Sequence, residues 1–415
     1  MSAAWARTLL PEFGSRDREA RALVCGQRAT PQRTMEAFKH RISRASIEAL
    51  AQHLAAAPDP AARALDARRL CRDAARGLEP LELKARVDHV ATALAGHLPA
   101  AFPAAARWIR TSITRLSPAE RDACSMWVFW PLCTFVERQG LAHPGEALKT
   151  MKLLTRLASC EFAIRPYLER DQEGVLTTLR AWARDPDPHV RRLVSEGARP
   201  RLPWGTRLRA LQQDPRPAIP LLDALYRDPE LYVRRSVANH VGDIAKDHPA
   251  LAVEITRRWC AEDPSPETRW VARHGLRALL KRGHAGALAT LGYHPARCGD
   301  VALELGARRV RLGGALELRA RLVSRSAQEL MIDYAVHHVK ANGELSAKVF
   351  KWTKLRAAKG QRLALTRSHA LRPISTRRYY SGLHRVELLV NGRSMALADF
   401  TLVGANAAAP GRARG

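Results

Sequence analysis

The strongest constraint on this chain is a recurrence. Asp-Pro opens three segments, DPDPHVRRLVSEG at 185, DPELYVRRSVANH at 228 and DPSPETRWVARHG at 263. Each sets an arginine six residues after its aspartate: Arg191, Arg234 and Arg269. A weaker copy without Asp-Pro, LTRLASCEFAIRP, puts Arg156 in the same slot, so the arginines stand 35, 43 and 35 residues apart. That period is one of two-helix units that cannot bury an apolar face alone and must stack on copies of themselves. The aspartate is expected to cap the second helix of each unit, with proline where its missing N–H costs nothing. The longer middle interval holds an insertion with RPRLPWG at its tip.

Around residue 300 the apolar period changes from 3.6 to 2. VALELGARRVRLGGALELRARLVS alternates, and HHVKANGELSAKVFKW and VELLVNGRSMALADFTL each set Asn-Gly between alternating segments, the strongest short hairpin signal. The expected fold is therefore mainly α, a HEAT-like α-solenoid followed by a small all-β sandwich. Its parts are an N-terminal extension at 1–30, the helical repeats at 31–297, the sandwich at 300–403 and a flexible tail at 404–415.

The chain carries 68 Lys+Arg against 40 Asp+Glu over 415 residues, a formal charge of +28. A surplus of that size points to a polyanion, nucleic acid before a membrane surface, since no run approaches 18 apolar residues. A basic coding bias is the plain alternative. Seven cysteines without a C-x-x-C pair fit reduced, mostly buried thiols in a bacterial cytoplasmic, nucleoid-associated protein. Zinc patterns, H-E-x-x-H, a Walker loop and a strand-borne G-x-G-x-x-G are all missing, so no metal or cofactor is expected. His337 and His338, adjacent on a strand, point to opposite faces and read as structural or DNA-facing.

Five residues after each repeat arginine stand Glu161, Glu196, Asn239 and His274. This polar slot is expected to face a concave groove railed by arginines, while Leu193, Val194, Val237 and Ala238 serve the core. A carboxylate there repels phosphate. It is tolerable if it meets a positive charge that grows during reaction, as when a cationic base leaves its sugar as an oxocarbenium-like centre. Trp204 and Trp182 are available for cation–π attraction. The bland readings are that Glu196 pairs with Arg192 or Arg199, that Trp204 packs a loop corner, and that Asp243 pairs with Lys246 or ends a helix.

CEFAIRPYL at 160–168, VRRLVSEGARPRLPW at 190–204, YVRRSVANHVGDIAKDHP at 232–249 and RWVARHGLRALLKRG at 269–283 resemble the AlkC branch of the HEAT-like-repeat DNA glycosylases, relatives of AlkD. The resemblance spans about residues 65–400. It implies an immunoglobulin-like C-terminal fold and monofunctional excision of cationic alkylated bases such as 3-methyladenine and 3-methylcytosine, without metal or cofactor. It carries the active-site acids onto Glu161 and Glu196, the aromatic position onto Trp204 and a further acid onto Asp243. Cys160 stands where the pattern has another residue.

The cations expected to hold DNA are Arg165, Arg191, Arg192, Arg199, Arg201, Arg234, Arg235, Lys246, Arg269 and Arg273 in the repeats, with Lys351, Lys354, Arg377 and Arg378 in the β domain. From Leu345 to Val386 there are 11 Lys/Arg and no Asp or Glu, which suggests a clamp on duplex DNA or a merely solvated basic face. The expected partner is double-stranded DNA with alkylated bases, bound by a monomer without an obligate protein partner. The alternatives are a non-catalytic HEAT-repeat DNA-structure-binding or scaffold protein and, against the basic groove, a protein–protein adaptor.

Overall fold

The computed structural model describes residues 38–56, 64–123, 125–374 and 377–406, so the extension expected at 1–30 and most of the tail expected at 404–415 lie outside the described residues. Two compact units, Met1–His240 and Val241–Gly415, divide the chain.

The first unit is helical: α1 Arg44–Ala55, α2 Ala67–Ala75, α3 Leu83–His97, α4 Phe102–Thr114, α5 Pro118–Ala123, α6 Met126–Gln139, α7 Pro144–Leu154, α8 Arg165–Arg170, α9 Gln172–Trp182, α10 Pro188–Gly197, α11 Arg209–Gln213 and α12 Ile219–Leu225. Helix α13, Leu231–Asp247, runs past its end. Neighbours in sequence pack on one another, α1 on α2, α8 on α9, and α9 on both α10 and α12, as stacked helical repeats require. On α10 the buried stripe is Val190, Leu193, Val194 and Gly197. A Cβ at Gly197 would stand 2.6 Å from Ile164 Cγ2, so glycine sets how closely α10 approaches the turn before α8.

The Asp-Pro turns share one construction. Asp185, Asp214 and Asp228 each accept through Oδ1 from the backbone N–H two residues on, at 2.9, 3.1 and 2.9 Å; Asp263 does the same at 3.1 Å. These are Asx turns. The expectation that the repeat aspartate caps the helix is thereby corrected. The cap of α10 is Asp187, accepting from His189 N, while Asp185 sits two residues upstream and bends the chain into it.

The repeat arginine closes the same turn. Arg191 donates to the carbonyls of Asp185 and Pro186, both at 2.9 Å, and Arg234 to those of Asp228 and Pro229, at 2.6 and 2.8 Å. Arg191 also reaches the carboxylate of Asp228 with two nitrogens, at 2.6 and 3.0 Å. Arg156 lies 3.8 Å from Asp185 and 3.5 Å from Asp187. The arginine of one repeat is thus paired with the opening aspartate of the next.

In the second unit α14 Pro249–Glu262, α15 Pro266–Gly275, α16 Arg277–Lys281 and α17 Ala285–Thr290 precede the strands β1 Cys298–Leu305, β2 Arg309–Arg311, β3 Ala315–Ser324, β4 Gln328–Val339, β5 Leu345–Ala357, β6 Arg362–Ala370, β7 Gly382–Val390 and β8 Arg393–Val403. One sheet has the order β1-β3-β6 and the other β2-β8-β7-β4-β5. Alternation turns Leu318 of the first sheet and Tyr334, Val386 and Phe400 of the second into one core cluster, the layout of a sandwich. Both Asn-Gly pairs form hairpins, and at the second Asn391 and Gly392 take φ of 47° and 76°. The Asn391 side chain accepts from Met331 N at 2.7 Å and donates to the carbonyls of His294 and Glu329 at 2.7 and 3.0 Å.

His337 pairs with Glu387 at 2.8 Å, and His338 turns inward, its Nε2 bonded to Arg377. No helix among the described residues is long and apolar enough to cross a membrane.

Candidate active site

The two glutamates of the polar slot reach the same place from different elements. Glu161 lies in the turn that leads into α8, and Glu196 lies on the last turn of α10. Both are nearly buried, at 6% and 5% exposed. Arg192, one helical turn before Glu196, stands between them. Its Nη1 donates to Glu161 Oε2 and, at 2.8 Å, to Ser159 Oγ, while its Nη2 is 3.6 Å from Glu196 Oε1. Arg199 donates to Glu196 Oε1 at 2.6 Å, and Ser236 Oγ to Oε2 at 2.6 Å. Two carboxylates and two guanidiniums therefore balance in a buried network.

The electrostatics follow from that balance. Burial alone pushes the Glu196 carboxyl up, but Arg199, Arg192 and the Ser236 hydroxyl outweigh it and hold the group well below the usual carboxylate range. Burial works against the Arg192 guanidinium too, yet Glu161 leads the groups that keep it charged. Tyr232, with Arg192 5.2 Å over its ring, carries a phenol raised chiefly by burial.

The two glutamates differ in one respect. Both oxygens of Glu196 are taken. Glu161 accepts its two hydrogen bonds, from Ser159 at 2.8 Å and from Arg192, on Oε2 alone. Its Oε1 accepts none among the described residues.

Trp204 sits in the turn after α10 with φ of 67° and is 38% exposed. A positive φ is disfavoured for a side chain of this size, so the turn must be held from elsewhere. Arg165 holds it: buried at 1% exposed, it donates to the carbonyls of Gly197 and Arg199 at 2.8 and 2.9 Å and to that of Thr206. Lys84 Nζ donates to the Trp204 carbonyl at 2.9 Å and stands 5.6 Å over the ring of Phe162, the residue after Glu161. The Trp204 turn and the Glu161 turn thus meet at Lys84.

Several of the expected phosphate ligands have partners within the chain. Arg165 is a clasp for the Trp204 turn. Arg191 and Arg234 serve the Asp-Pro turns, and Arg192 and Arg199 are the counter-ions of the glutamates. Arg191 and Arg234, expected to rail a groove, are half-buried and serve turn carbonyls, Arg191 also a buried aspartate, because such groups need donors. Arg201 is half-buried, whereas Arg235, Arg269, Arg273, Lys351, Lys354 and Arg378 are exposed. Arg377 stacks over Tyr379 at 5.8 Å. Asp243 belongs to the second unit, where it is buried and lies 3.1 Å from Lys246. The bland pairings of Glu196 with Arg199 and of Asp243 with Lys246 are both present. Ser159, Ser236, Tyr232, Lys84 and Phe162 were not singled out by sequence, since only the fold brings them near the slot.

A solved structure of the alkylpurine DNA glycosylase AlkC from Pseudomonas fluorescens, bound to DNA containing an abasic site analog, matches with a TM-score of 0.73 and 34% identity, over 88% of this chain and 99% of that one. This chain belongs to the AlkC family. The uncharacterized protein YhaZ of Bacillus subtilis (strain 168) is 40% identical over 267 residues, 64% of this chain and 74% of that protein. The family model described as the C-terminal Ig-like domain of YhaZ matches residues 300–404. Among AlkC relatives, then, the likeness covers both the helical repeats and the immunoglobulin-like sandwich.

Proposed function

We propose that this chain is a monofunctional DNA glycosylase that hydrolyses the N-glycosidic bond of cationic alkylated bases, 3-methyladenine and 3-methylcytosine among them. The observation that carries the reading is the asymmetry of the glutamates: in this carboxylate–guanidinium network Glu161 Oε1 accepts no hydrogen bond among the described residues. Set beside a departing base, that oxygen stabilises the growing positive charge on the sugar and orients the attacking water. Glu196 keeps Arg192 in place and so fixes Glu161; it is a positioning residue. Trp204 offers its ring to the cationic base. Asp243 is a further candidate acid. Arg235, Arg269, Arg273, Lys351, Lys354 and Arg378 hold backbone phosphates, while Arg201, Lys246 and Arg377 are lesser candidates. The partner is duplex DNA with alkylated bases, bound by a monomer in the bacterial cytoplasm without cofactor or obligate protein partner.

The pairing of both glutamates with arginine favours a second reading, a DNA-structure binder whose acids only brace helices. Base release from DNA carrying defined lesions separates the two. Under the first reading Glu161→Gln lowers release about 10²–10³-fold, the usual scale for one transition-state electrostatic partner, Glu196→Gln lowers it less, and both variants still bind DNA. Normal turnover by both would hand the site to the second reading.

A further inference from the structure

In the second unit Trp270, Arg273, His274, Arg277 and Lys281 recur at i, i+3, i+4, i+7 and i+11, so α15 and α16 present them on one stripe. Together with Met331 and Asp333 of β4 and Val349, Lys351 and Lys354 of β5 they line a cavity of about 580 Å³, within the range that encloses small ligands. The two lysines are three positions apart, and a regular strand would send them to opposite faces. The β4–β5 register slips at this point: Ile332 pairs with Thr353 and Asp333 with Lys351, which leaves Trp352 over. The bulged Trp352 packs on both core clusters of the sandwich, and both lysines line the cavity. Bulges re-aim side chains in this way beside binding sites.

The lining has three chemical parts. Arg273, Lys281, Lys351 and Lys354 make no salt bridge among the described residues. Burial first, then Arg273 and Lys351, lowers the Lys354 ammonium below its ordinary value, outweighing the opposing pull of Asp333. The second part is flat and apolar. Trp270 and His274 stack at 5.0 Å with their planes 13° apart, beside Leu280, Met331 and Val349. The third is Asp333. A carboxylate facing an anion hole weakens binding of a bare anion, but it can receive a donor carried by the same ligand. Burial raises its carboxyl, against the pull of Lys354 and Lys351.

We propose that this cavity is a binding site for a nucleoside monophosphate unit, with the phosphate on Arg273, Lys351 and Lys354, the base on the Trp270–His274 wall, and an exocyclic amino group donating to Asp333. The unit comes either from a nucleic-acid strand or from a free nucleotide. This site deepens the DNA-binding part of the proposed function and rests on it, since Arg273, Lys351 and Lys354 are the cations assigned there to phosphate; the Trp270–His274 wall and Asp333 are what it adds.

The test uses the full chain and follows calorimetric heat and the part of the tryptophan fluorescence change that Trp270→Phe removes, with dAMP, a 5′-phosphorylated deoxytrinucleotide, inorganic phosphate and deoxyadenosine. The expected result is that dAMP or the trinucleotide binds at least about tenfold more tightly than phosphate or deoxyadenosine, and whichever of the two binds tighter identifies the source. Lys351→Glu/Lys354→Glu abolishes this binding, with Arg273→Ala as the milder variant should the double change not fold, and Glu161→Gln leaves it intact. Asp333→Asn raises the affinity for phosphate and narrows the preference for dAMP. Equal binding of phosphate and dAMP, no binding of either nucleotide, or full retention in the charge variants would overturn the proposal.

Discussion

At the scale of single residues, the same side chain type does opposite work according to what the backbone nearby leaves unsatisfied. Arg165 illustrates this. An arginine beside a candidate acid in a +28 chain invites a phosphate, yet three carbonyls of the Trp204 turn claim it. Arg165→Gln is therefore expected to lower base release about tenfold, roughly 1.4 kcal/mol of barrier, by loosening the turn, while DNA affinity stays within about twofold. Parallel release and binding measurements check it; a phosphate ligand would lose affinity instead. The pairing of Glu161 and Glu196 was legible because a repeat carries equivalent positions to equivalent places. Which oxygen would be left over was not, since that depends on Ser159 and on Ser236, 40 residues from Glu196.

At the scale of elements, turns were the most readable part of the chain and interactions between distant turns the least. Asn391-Gly392 announces its own hairpin because the φ values it needs suit few other pairs. The sequence says nothing of what the turn rests on. A Cβ on Gly392 would lie 2.6 Å from the Cα of Gly283, and the glycine also holds a φ of 76°. Gly392→Ala should cost about 2 kcal/mol or more in denaturant unfolding; a loss under about 0.5 kcal/mol would show that the contact yields freely. The bulge at Trp352 was similarly hidden, since alternation reads as unbroken through it and only pairing with β4 exposes the extra residue. Asp-Pro marked the turn that opens three of the four repeat copies, but at α10 the aspartate's turn and the helix cap are separate devices two residues apart.

At the scale of the whole molecule, charge sets both solubility and acid tolerance. The sandwich keeps His338, His369 and His384 inside, and burial foremost pushes their imidazoles down, with Arg377 adding to the effect on the first two, to about 3 for His338 and about 4 for His369. Unfolded, each titrates near 6.5. Between about pH 6.5 and 4 the unfolded chain thus binds more protons than the folded one, so stability falls as the solution is acidified. Unfolding free energy measured across that range should lose about 1.4 kcal/mol per pH unit for each of His338 and His369, and His369→Asn should remove one such share. An unchanged slope would mean that the ring is protonated in place. The ladder from Arg156 to Asp185 and from Arg191 to Asp228 has a different reach. Because each of these two links joins an arginine of one repeat to the opening aspartate of the next, a deletion or insertion that takes one partner without the other strands a buried ion, whereas a whole repeat brings both. The order of the stack is written in complementary charges, and evolution can lengthen it only by copying both halves of a link at once.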